Sequence, residues 1–228
     1  MSAIQEATRT VDRTGNKKVG KAAAKTAEKQ ARKAHTRDSL QALSKLAEHV
    51  GDRYRIVSQP PIVIPLRDLA PSIGLSVDEL EHVIHEQFRA YRKTLPDDRR
   101  HLLEQFEVVD MAHKVVGVGS VGLRAFIVLL QGRDQEDPLF LQVKEASASV
   151  FEDHLPKSRY RHPGERVVQG QRMMQAASDI FLGWTKGGVE TDRYLYWRQL
   201  RDMKGSALVE TMVPAALTFY AQVCGETL

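Results

Sequence analysis

Leu40, Leu43, Leu46, Ala47 and Val50 recur at three- and four-residue spacing, the signature of a helix with one apolar face. The stretch before them is rich in Ala, Lys, Glu and Gln, all good helix formers, so the pattern predicts a helix over 17–50 that stops at Gly51-Asp52. Residues 1–16 have no such period and read as a loose tail. Tyr54–Val57 and Ile62–Leu66 are short β-type runs around Pro60-Pro61, predicting a small hairpin or an extended crossing segment. Ser76-Val-Asp-Glu79 is a capping box. It opens a helix to about Thr94, with Leu80, Val83, Ile84, Gln87 and Tyr91, or their neighbours, as its inward positions. Pro96 suits the first turn of another helix, through Gln105.

The texture then changes. Val108–Val116, Leu123–Leu130 and Leu139–Lys144 are β-branched and apolar, and the turn-rich segment 131–138 separates the last two. A helix is expected over Glu165–Ser178. Two more strands, Asp179–Thr185 and Asp192–Leu200, flank Lys186-Gly187-Gly188, and Pro214–Cys224 starts a final helix with Leu217 and Tyr220 on one face. The expected fold class is α+β: N-terminal helices followed by a five-stranded antiparallel lobe. The chain divides into a tail (1–16), a mainly helical region (17–105), the β lobe with one helix (106–205), and the start of a C-terminal helical region (206–228). No polar closing element follows that last helix, so the expectation is a part of a larger protein.

Composition narrows the function classes. The apolar fraction of 42% supports a real core. One cysteine, Cys224, cannot form an internal disulfide, which favours the cytoplasm, and it reads as a buried small residue. No apolar run of membrane-spanning length and no secretory signal is present. The net charge is +4, but residues 1–39 hold ten basic groups against four acidic ones, so the remainder is slightly acidic. That arm contains no aromatic residue, and a solvated helix face explains it better than nucleic-acid binding. His82 and His85 stand one helical turn apart without a third metal ligand in view.

The chemically informative stretch is Lys114-Val-Val-Gly-Val-Gly-Ser-Val-Gly122. Gly117, Gly119 and Gly122 spell G-x-G-x-x-G. In a dinucleotide fold this loop opens a helix, whose N-terminus receives the pyrophosphate. Here the following residues read as strand. A strand–loop–strand flap that lays backbone N–H groups over ATP phosphates is the better match, and glycines let the backbone approach. Lys144 then ends a strand in Val-Lys-Glu, as the phosphate-binding lysine of kinases does. Its expected carboxylate partner is Glu165, at the start of the next helix, followed by Glu152 and then Glu145. Leu200, Arg201 and Met203 leave the fifth strand, where a hinge would meet the adenine. Gly117, Gly119, Ser120, Gly122, Lys144, Glu165, Leu200, Arg201 and Met203 form the expected ligand set, with ATP and Mg as cofactor. No catalytic or metal-binding aspartate is recognisable, and Asp179-Ile-Phe-Leu-Gly183 is only superficially similar to D-F-G. The competing reading is a non-enzymatic structural or interaction module with a plain glycine hairpin.

Several blocks resemble the bacterial domain-of-unknown-function 2252 family: Thr36–Lys45, Lys114–Gly122, Asp137–Ala146, Gln171–Trp184 and Arg198–Ser206. The resemblance covers roughly residues 20–228. It implies longer members, with an upstream G-D-A-H…N-F-G block and an Asp-rich block similar to the catalytic and metal loops of small-molecule kinases. It also implies a downstream block rich in Ala, Arg and His. The chain departs from the family at Gln169, where an acid is expected one turn beyond Glu165. The implied function is the nucleotide-binding part of a kinase-like phosphotransferase, acting on an unidentified small-molecule acceptor and not catalytically complete alone.

Overall fold

The computed structural model describes residues 39–51, 53–115, 122–134, 137–188, 192–200 and 209–226. The part of the expected 17–50 helix that precedes Ser39 lies outside them. The described residues fall into two units. One is built from Ser39–Asp202; the described part of the other is a short 3₁₀ turn and helix α5 (Pro214–Glu226). Helix α5 was expected from Pro214 onward. Cys224, expected to be buried, is exposed on it. Apolar residues surround this helix, so no single face dictates which ones are covered.

The first unit opens with helix α1 (Ser39–Leu46), whose Ala42, Leu43 and Leu46 are buried. The helix does not run on to Val50. Strand β1 (Ala47–Val50) pairs antiparallel with β2 (Arg53–Ile56), and Gly51, at φ +62°, makes the turn between them. The helical spacing of Ala47 and Val50 is outweighed by this pairing, which buries Ile56 against α1.

The main sheet has six strands, not five, in the order β3-β4-β5-β6-β8-β7, and all its pairings are antiparallel. These are β3 (Val63–Pro65), β4 (Glu107–Lys114), β5 (Ala125–Gln131), β6 (Pro138–Glu145), β7 (Gly183–Lys186) and β8 (Tyr194–Gln199). The added strand is β3. It came from the run read as half of a small hairpin or as an extended crossing segment, and Val63 lies opposite Lys114 at the edge of the sheet. A three-residue strand carries too little pattern to name its partner.

Side-chain alternation gives the sheet two apolar faces. On one, Leu139, Leu141 and Val143 of β6 meet Leu195 and Trp197 of β8 and are covered by Phe88 and Tyr91 of α2 (Val77–Arg92). The capping box opens α2 as expected: Ser76 Oγ accepts from the Glu79 N–H, and Glu79 accepts from the Ser76 N–H. A short helix, α3 (Asp97–Leu103), follows Pro96. On the other face, Ile127, Leu129 and Phe140 pack with α1 and Leu200. Helix α4 (Pro163–Met174) links β6 to β7 and lies against β7 and β8.

Helix α2 reaches the sheet closely because β7 begins with a glycine. A Cβ on Gly183 would stand 2.6 Å from the Tyr91 ring and 2.7 Å from Thr94 Oγ1. Gly170, inside α4, meets nothing within 4 Å. We expect Gly183→Ala to destabilise by about 1–3 kcal/mol and Gly170→Ala to stabilise by about 0.5–1 kcal/mol. Urea unfolding of both variants checks this; equal effects would contradict the packing described.

Candidate functional site

Lys144 is next to last in β6. It lies opposite Ala125 on one side and Tyr196 on the other. Phe140, two residues earlier than Gln142, faces α1, so alternation puts Gln142 and Lys144 on that same face, beyond the helix. The register sets Arg198 opposite Gln142, one step along β8 from Tyr196. Two cations are thereby held on one face of neighbouring strands.

Their electrostatics follow from this placement. Burial, and then the guanidinium of Arg198, hold the Lys144 amine below its ordinary value. Burial raises the Tyr196 phenol, and Arg198 partly offsets it. Among the described residues no carboxylate forms an ion pair with Lys144. Arg198 has a distant one: its Nε lies 3.8 Å from Asp179 Oδ2, is buried, and makes no hydrogen bond. Asp179 is already occupied, accepting from the N–H groups of Phe181 (2.9 Å) and Gln199 (2.7 Å). Its superficial likeness to a metal-binding motif therefore hides a bracing role, fixing the end of β8. The site carries excess positive charge in a half-buried setting, which favours an anion.

The other expected residues divide by location. Gly117, Gly119 and Ser120, like Arg201 and Met203, lie outside the described residues. Gly122 is described, at φ +82°, a conformation that glycine adopts without steric cost. Three residues later Ala125 lies opposite Lys144, and the Glu145 N–H donates to the Arg124 carbonyl at 2.8 Å, so the end of the glycine segment runs beside the lysine. Leu200 is in the apolar core, with its N–H donated to the Phe140 carbonyl at 2.8 Å.

The candidate carboxylates do not reach Lys144. Glu165 occupies the first turn of α4, half-buried, and makes no ion pair among the described residues. Glu152 accepts from the Ser158 N–H at 3.4 Å. Glu145 is bound to Arg193 at 2.7 Å and accepts from the Arg124 N–H. The residue that sequence reasoning missed is Arg198. Its alternation with Tyr196 and Tyr194 was visible, but facing Lys144 requires the β6–β8 register.

Helix α4 is anchored beside these strands. His162 caps its N-terminus, with Nδ1 accepting from the Glu165 N–H at 3.3 Å, and its ring packs edge-on against Tyr194 at 4.7 Å. A Cβ on Gly164 would collide with the Leu195 carbonyl oxygen, so glycine lets the helix approach β8. Burial, then Lys186, lower the His162 imidazole below its ordinary 6.5, partly offset by backbone carbonyls.

The profile of a family described as "Uncharacterized protein conserved in bacteria (DUF2252)" fits residues 1–228. No curated protein and no solved structure matches the chain.

His162 generates a prediction. Its folded pKa is depressed, so the unfolded chain binds more protons as the pH drops below 6.5. The stability it contributes is present above that value and is lost as pH falls through the lowered pKa. His162→Asn keeps a capping acceptor but does not titrate. Its unfolding free energy should show a shallower loss between neutral and mildly acidic pH than the wild type; an unchanged slope would contradict the assignment.

Proposed function

We propose that this chain, which belongs to the DUF2252 family of bacterial proteins, binds a nucleotide as part of a kinase-like phosphotransferase, with Lys144 and Arg198 receiving the phosphates. The carrying observation is the pairing of two half-buried cations, each raising the other's electrostatic cost, with no carboxylate paired to the lysine among the described residues. A polyphosphate neutralises both.

The order of elements supports the kinase-like reading. The glycine segment connects β4 and β5, the lysine is next to last in β6, and a helix follows before the last two strands. Kinases use a glycine-rich flap, a lysine on the third strand and a helix after it in that order. Glycines would bring backbone N–H groups to the phosphates, and Lys144 would hold their charge from below. Among the described residues Glu165 makes no ion pair, and the strand register sets the face on which Lys144 stands. Magnesium would come with the phosphates: among the described residues no three metal-ligating side chains stand together. Transfer also needs an aspartate to orient the acceptor. No residue of the proposed site fills that role, so the chain alone binds and does not transfer.

The test is thermal unfolding with Mg-ATP. Ligand at ten times its Kd stabilises by about 1.4 kcal/mol, or roughly 3–6 °C for a domain of this size. Lys144→Ala should abolish the rise. Lys144→Met should also abolish it, while leaving the ligand-free protein at least as stable, because it removes a desolvated charge next to Arg198. No rise at millimolar Mg-ATP, or a rise that survives Lys144→Ala, would favour the purely structural module.

A further inference from the structure

A second cation-lined site lies where β2 meets α2 and β4. It is a cavity of about 190 Å³ that shares no residue with the Lys144 site. Its construction starts with Asp110. The register of β4 against β5 shifts between Val108 and Asp110, a bulge that re-aims side chains. The Asp110 carboxylate is then fully committed: it pairs with Arg67 and accepts from the N–H groups of Ile56 and Met111, both at 2.8 Å. Arg67 in turn donates to the Ile56 carbonyl at 2.8 Å. This knot ties β2 to β4 and uses up the one deep carboxylate.

Arg53 and Arg55 remain. They stand two apart on β2, so they share a face about 7 Å apart, and both line the cavity. Neither pairs with a carboxylate among the described residues. The remaining acid on the wall is Glu81 of α2, which leaves the guanidiniums in excess. Leu80 and Ile84 add an apolar wall. The geometry points to a binding site for a small organic oxyanion, a phosphate or carboxylate group on an apolar body, gripped by Arg53 and Arg55. Two guanidiniums on one strand face can each present a planar donor fork to the same group. The apolar wall supplies the remainder of the contact.

Phenyl phosphate and benzoate are suitable probes, titrated into isotope-labelled full chain and followed by amide resonance shifts. At least one probe should bind saturably, with shifts centred on residues 53–56 and 80–85. Arg53→Gln together with Arg55→Gln should weaken binding about tenfold or more, equivalent to at least ~1.4 kcal/mol. Both arginines are exposed, so the variant should unfold at the wild-type temperature. Glu81→Gln should strengthen binding, and Lys144→Ala should leave it unchanged, which separates this site from the nucleotide reading. Comparing the two probes distinguishes phosphate from carboxylate as the preferred head. Absence of saturable binding by both, or binding indifferent to the two arginine changes, overturns the proposal.

Discussion

Strand β8 is held in place by an aromatic stack on the face away from the candidate nucleotide site. The rings of Tyr91 and Trp197 lie 4.5 Å apart and 9° from parallel, both buried. Each polar end is satisfied: the Tyr91 hydroxyl donates to the Phe181 carbonyl at 2.6 Å, and Trp197 Nε1 donates to Thr185 Oγ1 at 3.0 Å. Burial pushes the Tyr91 phenol well up, so it remains a donor throughout ordinary pH. Such pairs are worth about 0.5–1.5 kcal/mol beyond the area they bury. Here the stack also has a positional effect. It fixes α2 to β7 and β8, and so fixes which residues of β8 face the other way.

Those residues are Tyr194, Tyr196 and Arg198. Their placement beside Lys144 is thus a consequence of packing on the opposite face, because a one-residue slip of β8 would exchange the two sets. The slip would bury Arg198 among Leu141 and Val143 and expose Trp197. Both are costly, so the register is strongly specified even though the two cations repel. The aromatic core thereby sets which face of β8 carries Arg198.

Much of this was legible in the chain. The capping box at Ser76, the glycine segment between two strands, Lys144 at a strand end and the strands after residue 106 all follow from local patterns with a physical cause. What was not legible depended on pairing. Val63–Pro65 is too short to reveal its partner. Ala47 and Val50 fit a helical face yet form a strand, because pairing with β2 buries Ile56. Arg198 could be placed beside Lys144 only from the register of β6 and β8. Asp179, whose likeness to D-F-G was read as superficial, accepts two backbone hydrogen bonds and acts as a brace.

The central claim is that the face bearing Lys144 and Arg198 receives a nucleotide under the glycine segment. Hydrogen-exchange mass spectrometry with and without Mg-ATP tests it most directly. The account predicts slowed exchange in peptides covering 114–125 and in those carrying Lys144 and Arg198, with the core around Tyr91 unchanged. Unaltered exchange in these peptides at saturating millimolar nucleotide, or protection confined to other segments, would contradict it.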